Sequence, residues 1–105
     1  MNPNTPKNWT LSTYTNDTWT DLVAEPAVVA NLSVANTTAG AITVEIRLED
    51  AGSKLAMIIP ANSIAAYDAF LVDLRAVAVT GTQAIQVKAS AAGMDFLASG
   101  AVEGA

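Results

Sequence analysis

Residues 27–49, AVVANLSVANTTAGAITVEIRLE, decide the fold class. After the central NTTAG, Ile42, Val44, Ile46 and Leu48 fall on one side of an extended chain, and Thr43, Glu45, Arg47 and Glu49 on the other. Before it, Val28, Ala30, Leu32 and Val34 share one side, with Asn31 and Ser33 opposite. A period of two belongs to strands with one buried face, because successive side chains of a strand point to opposite sides. Glu45 and Glu49 then sit on a solvated face. Asn36–Gly40 is short and rich in turn formers, and its length predicts an antiparallel hairpin between the two strands.

The same punctuation continues outward. Asp50–Ser53 turns the chain, Lys54 to Ile59 returns as a strand, and Pro60–Ser63 is expected to end it. Ser63 to Val79 carries mixed signals. Ser63 could cap a helix, and Ile64, Tyr67, Leu71 and Leu74 have helical spacing. Phe70–Val72 and Val77–Val79 read as strand pieces, and the neighbouring segments are all β. Two short strands are favoured, with a helical turn as the other reading. Beyond the Thr80–Thr82 turn, Ile85 and Val87 alternate with Gln86 and Lys88. Beyond Ser90–Gly93, Met94, Phe96 and Ala98 alternate with Asp95, Leu97 and Ser99. Short strands separated by regular turns give an all-β chain: an antiparallel β-sandwich or a small Greek-key, jelly-roll-like barrel.

Upstream of this body the composition changes. Residues 1–21 are polar and rich in Thr and Asn, with Pro3 and Pro6 favouring extended backbone. They are expected to form an extended N-terminal arm, with residues 22–105 as the sandwich domain. Trp9, Tyr14 and Trp19 are aromatic in a polar setting and need a surface to dock on. Two readings follow. The segment could be a first strand packed on its own body. Alternatively it reaches a neighbouring subunit, with Trp9, Tyr14 and Trp19 as the contact candidates, and deleting 1–21 leaves a folded body that cannot assemble. Twenty extended residues span roughly 66–72 Å, enough for either.

Composition limits the chemistry. The 105 residues suit one domain, and much of the 51% hydrophobic content is alanine, which buries little area per residue. A thin core of this size gains from contact with neighbouring copies. The net charge is −5, and five scattered cations form no basic patch, so nucleic acid and anionic membranes are disfavoured as partners. There is no histidine and no cysteine. The commonest neutral-pH base, thiolate catalysis, disulfides and thiolate metal sites are therefore missing. No phosphate-loop, dinucleotide or nucleophile-elbow motif occurs. Asp50, Asp68, Asp73 and Asp95 do not have calcium-loop spacing. The expectation is a chain that is not an enzyme, with no catalytic residue, metal or cofactor.

SVANTTAGAITVEIRL, then IIPANS, then AIQVKASAAGMDFLASGAVEG resembles a family of small virion proteins of tailed bacteriophages. In that family a strand ending V-A-N-T precedes a turn and a T-V-x-x-x-L strand. An I-P-A-x-[ST] turn comes next, and a final hairpin reads V-x-A-S-A-A-G and closes with S-G-x-E. Here these are Val34–Thr37, Thr43–Leu48, Ile59–Ser63, Val87–Gly93 and Ser99–Glu103. The family's A-G-D turn is replaced by Thr80–Gly81–Thr82, and residues 1–21 lie outside the match. The resemblance implies an accessory or decoration protein of the virion, on capsid, neck or tail. The thin core and the aromatics in need of a docking surface point to a homo-oligomer, and the phage setting to a trimer or larger ring bound to other virion proteins. The alternative is a carbohydrate- or receptor-binding β-module in which Trp9 and Trp19 line an open groove. Burial of both indoles against protein would instead make them assembly anchors.

The face assignment has a direct test. Ile46→Asp places a charge at an inward position, where an unpaired buried carboxylate costs several kcal/mol or must neutralise. The variant is expected to be unfolded by circular dichroism at neutral pH; a soluble protein with a wild-type melting curve would reverse the assignment.

Overall fold

The computed structural model describes residues 4–14 and 17–103; the side chains of residues 4, 13, 14 and 103 lie outside that description. The described residues form eight strands and no helix: β1 (Asn4–Tyr14), β2 (Thr20–Val23), β3 (Ala27–Asn36), β4 (Ile42–Asp50), β5 (Ser53–Ile64), β6 (Ala69–Val79), β7 (Gln83–Ala89) and β8 (Met94–Glu103). They make two four-stranded sheets, ordered β1-β8-β3-β6 and β2-β7-β4-β5, antiparallel throughout. This interleaved order is that of a jelly roll, in which nearly every connection crosses from one sheet to the other. Here only the β4–β5 turn stays within a sheet.

That topology corrects the expected hairpin at NTTAG. β3 pairs with β6 and β8, whereas β4 pairs with β5 and β7, so Asn36–Gly40 is a corner between sheets. Both flanking strands have an apolar face, and placing them in opposed sheets lets those faces meet each other. The final V-x-A-S-A-A-G segment is likewise an arch from β7 to β8 rather than a hairpin.

The inward faces interdigitate as expected from alternation. Ile42, Val44 and Ile46 from β4, Ile85 and Val87 from β7, and Met94, Phe96 and Ala98 from β8 are buried, while Leu48 is half-buried against them. In β3 the expected face is only half right. Leu32 and Val34 are inward, but so are Ala27 and Val29, while Val28 is outward and 43% exposed. A β-bulge causes the switch. Val29 is opposite Gly100 and Asn31 opposite Ser99, which leaves Ala30 as an extra residue that reverses the alternation. On the other side of β3, Val29 faces Val77 and Asn31 faces Asp73, so Leu74, Arg75 and Ala76 all oppose Ala30. Arg75 takes φ +61° there, and its N–H donates to the Asp73 carboxylate at 3.0 Å. The two strand pieces expected between residues 63 and 79 are thus one strand kinked at Arg75, and no helical turn lies between them.

Pro60 does not end β5 either. Ile46 pairs with Ile59 and Val44 with Asn62, so Pro60 and Ala61 sit in a register shift on an edge strand. Proline is tolerated there because its missing N–H faces no partner.

Residues 4–14, expected in the arm, lie along β8 as the outer strand of the first sheet, with Trp9 in the core at 8% exposure. The expected boundary at residue 21 falls inside β2, which pairs with β7. In this fold the segment is a strand on its own body, and removing 1–21 strips the core of its only buried indole among the described residues.

Gly100 is what the bulge needs. A Cβ at this position would run into the Val28 carbonyl oxygen and lie within 2.9 Å of Val29 Cα, both backbone atoms that cannot swing aside. Gly100→Ala is expected to cost about 1–3 kcal/mol, the range for forced overpacking, read from denaturant unfolding. An unchanged unfolding midpoint would mean that the strands do not approach this closely.

Candidate interaction surfaces and anchoring clusters

Three polar clusters hold the sandwich. The first is at the corner end. Asn36 is 2% exposed, and its Nδ2 lies within hydrogen-bond distance of the carbonyls of Gly40 (2.8 Å), Ile64 (3.0 Å) and Ala65 (3.2 Å). Its Oδ1 accepts from Thr38 N–H at 2.9 Å and from the Thr38 hydroxyl at 2.7 Å. Its backbone N–H donates to Asp68 O, while Thr37 donates to Gly93 O through both its N–H and its hydroxyl. One side chain thus ties together the β3–β4 and β5–β6 connections, and its neighbour adds the β7–β8 arch. Buried amides are retained where every donor and acceptor finds a partner, and this one does.

The second cluster fixes β1. Trp9 Nε1 donates to Glu25 Oε2 at 2.9 Å, and Lys7 Nζ donates to the same oxygen. Lys7 Nζ also lies 5.6 Å from the indole centroid. The Lys7 hydrogen bond first, then that of Trp9, hold the Glu25 carboxyl below the usual range, with desolvation opposing them.

The third covers the outer face of the β2-β7-β4-β5 sheet. Arg47 donates to Gln86 Oε1 through Nε (2.9 Å) and Nη2 (2.7 Å), and Gln86 Nε2 donates to Asp21 at 2.9 Å. Lys88 pairs with Glu45 at 3.0 Å. Trp19 is half-buried on this lattice, with the Arg47 guanidinium carbon 4.3 Å and Lys88 Nζ 5.0 Å from its ring centroid. Cations over an indole face are attracted by its quadrupole. Glu49, expected on this solvated face, is instead 5% exposed and accepts the Gly52 N–H at 2.6 Å, because it closes the β4–β5 turn.

The contact candidates therefore divide. Trp9 is an anchor within its own chain. Trp19 packs on its own sheet and retains partial exposure. The Tyr14 side chain lies outside the described residues. The two indoles line no common groove: Trp9 is in the core and Trp19 lies on the outside of the opposite sheet. Among the described residues, no three acidic side chains converge as a metal cradle.

The opposite outer face, on β1-β8-β3-β6, has a different character. Val28, Leu97 and Leu71 are exposed on it at 43%, 38% and 67%. Ser33 lies between Leu97 and Leu71 in register, with Thr10 beyond Leu97. A shallow groove of about 360 Å³ runs beside Leu97, bordered by Thr10, Ser12, Ser33, Ala35 and Asp95. The signal for this face was present in the sequence as the small residues of β3 and β8. The bulge that turns Val28 onto it was not. No family model and no curated protein matches the chain.

The Glu25 cluster gives a pH prediction. Its carboxyl is depressed in the folded state, so its contribution is complete above the unfolded value near 4.3–4.5 and is lost as pH falls through the lower folded value. Glu25→Gln is expected to melt below wild type at pH 7, with the gap narrowing below about pH 4. A gap that stays constant from pH 7 to pH 3 would assign the effect to shape rather than charge.

Proposed function

We propose that this chain is a structural component of a tailed-phage virion, an accessory or decoration protein on the surface of the capsid, neck or tail. In this role it carries no reaction of its own and acts through contacts with its own copies and with other virion proteins.

One observation carries the reading. The motifs behind the resemblance are far apart in the chain, yet three of them meet at one end of the sandwich. Val34–Thr37 supplies Asn36 and Thr37, Val87–Gly93 supplies the Gly93 carbonyl that Thr37 grips, and Thr43 of Thr43–Leu48 donates its N–H to the Ser90 hydroxyl and accepts the Ser90 N–H. A fourth, Ser99–Glu103, contains the Gly100 on which the bulge depends. Residues that act as one structural unit are a firmer basis for likeness than scattered matches. The interleaved strand order adds support, since double-sheet jelly rolls recur in viral capsid domains. They recur in lectins as well, so fold alone does not choose. The sugar-binding alternative lacks its paired indoles, because Trp9 is in the core and Trp19 lies beside Arg47 and Lys88.

The test is localisation. An antibody raised against the chain, applied to purified particles of the phage whose genome encodes it, is expected to label one surface region with regular copy number in electron micrographs. Particles that lack the chain by mass spectrometry would overturn the assignment.

A further inference from the structure

We infer that Tyr67, at the tip of the β5–β6 connection, is the anchor by which the corner end of the sandwich docks into an apolar pocket of another virion protein. This rests on the reading of the chain as an assembly component.

The backbone gives the first reason. Tyr67 has φ +56°. That left-handed conformation is disfavoured for a bulky side chain and is supplied at less cost by glycine or asparagine. The two other non-glycine residues with positive φ are accounted for by the fold. Ala51 is small and stands in the β4–β5 turn, and Arg75 is at the kink opposite the Ala30 bulge. At Tyr67 the fold asks for the backbone conformation and not for the ring. The residue is 73% exposed, and its hydroxyl has no hydrogen-bond partner among the described residues. Strain kept at a side chain that adds nothing to packing points to a role outside the fold.

The tip is also held rigidly. Tyr67 N–H donates to Thr38 O at 3.1 Å, Asp68 N–H to Ala65 O at 3.1 Å, and Asn36 N–H to Asp68 O at 2.9 Å. The Asp68 carboxylate accepts the Ala69 N–H at 2.8 Å. The ring is therefore carried on the same network that buries Asn36. A side chain on a pre-ordered backbone loses little freedom on docking, and tyrosine is among the residues that dominate protein interfaces.

The chemistry of this end selects the partner. Its polar side chains are largely engaged within the chain: the Thr37 hydroxyl donates to Gly93 O, that of Thr38 to Asn36 Oδ1, and that of Ser90 accepts the Thr43 N–H. The other exposed residues of these connections are mostly small: Ala39, Gly40, Ala65, Ala66, Ala91 and Ala92. Asp68 is the one charge in residues 37–41, 65–68 and 90–93. Asp17 in the β1–β2 connection and Asp95 at the start of β8 add acid, and Lys88, two residues before Ser90, is paired with Glu45. Nucleic acid and anionic lipid need cations, which these connections lack. A sugar needs several free hydrogen-bonding side chains beside the ring, and here most are taken. A protein pocket with apolar walls, a neutral or basic rim and one acceptor for the phenolic O–H fits what is exposed.

The test counts the chain in particles. Phage with its own copy of the gene deleted is grown in cells that supply the full chain from a plasmid, and copies per purified particle are measured by quantitative mass spectrometry. Tyr67→Ala and Tyr67→Gly are each expected to reduce the copies at least tenfold, and Tyr67→Phe by less. Leu55→Ala, exposed on β5, keeps the wild-type number. If particles form only with the chain present, the same loss reads as missing particles for the Tyr67 variants and normal yield for Leu55→Ala. Melting of the purified variants separates ring from backbone. Tyr67→Ala is expected to melt like wild type, and Tyr67→Gly several degrees higher, because glycine relieves the strain. Equal copies of wild type and Tyr67→Ala overturn the anchor. So does a Tyr67→Gly variant that melts no higher than Tyr67→Ala, or either variant melting well below wild type, which would make the ring part of the fold. Full copy number in Tyr67→Ala particles that no longer adsorb to host cells would assign the ring to a host glycan and overturn it as well. Wild-type particles without the chain overturn the virion reading itself, an outcome distinct from particles that hold wild type and variant alike.

Discussion

Everything on the outside of this protein follows from one tight crossing, where the backbone of β3 at Val28–Val29 passes against Gly100 of β8. A side chain cannot fit between them, so the strands can approach and Ala30 can bulge. The bulge changes the face of every residue before it relative to every residue after it, because strand side chains alternate with period two. Val29 therefore enters the core while Val28 leaves it. The facing strand answers with the Arg75 kink, held by the Asp73 carboxylate. A left-handed backbone at a non-glycine residue is strained, and the local hydrogen bond is what offsets it.

The two ends of the sandwich are closed by different chemistry. At one end, a fully satisfied buried amide, Asn36, links connections that are distant in sequence. Such a group is specific because any other arrangement would leave its donors or acceptors unpaired. At the other end, Glu25 gathers Lys7 and Trp9 and so secures the outermost strand. The first link is uncharged and insensitive to acid in this range; the second is ionic at its centre. A strand held at an edge by one partner strand depends on such side-chain contacts more than a central strand does.

In the proposed building-block role, the chain acts through its surfaces rather than through a reaction centre. Its acidic groups are taken up singly in turns, pairs and kinks: Glu49 closes the β4–β5 turn, Glu45 pairs with Lys88, and Asp73 holds Arg75. What remains is a contrast between a charged, internally bonded face and a flat one of small residues. This contrast is the physical content of the proposed building-block role.

The sequence by itself determined the fold class, the inward residues of β4, β7 and β8, and several of the turns, though not the one expected at Pro60–Ser63, where β5 runs on to Ile64. Alternation and turn chemistry are local, and local patterns are readable without partners. It also marked Asn36–Gly40 and Ser90–Gly93 as turns. Only the tertiary structure decided that these are corners between sheets, because a turn's residues are the same whether the next strand pairs beside the last or crosses over it. The Ala30 bulge, the burial of Glu49 and the docking of Trp9 on Glu25 were equally hidden. Each depends on a residue distant along the chain or on the geometry of a closed turn, and alternation within one strand carries no trace of its neighbour's register.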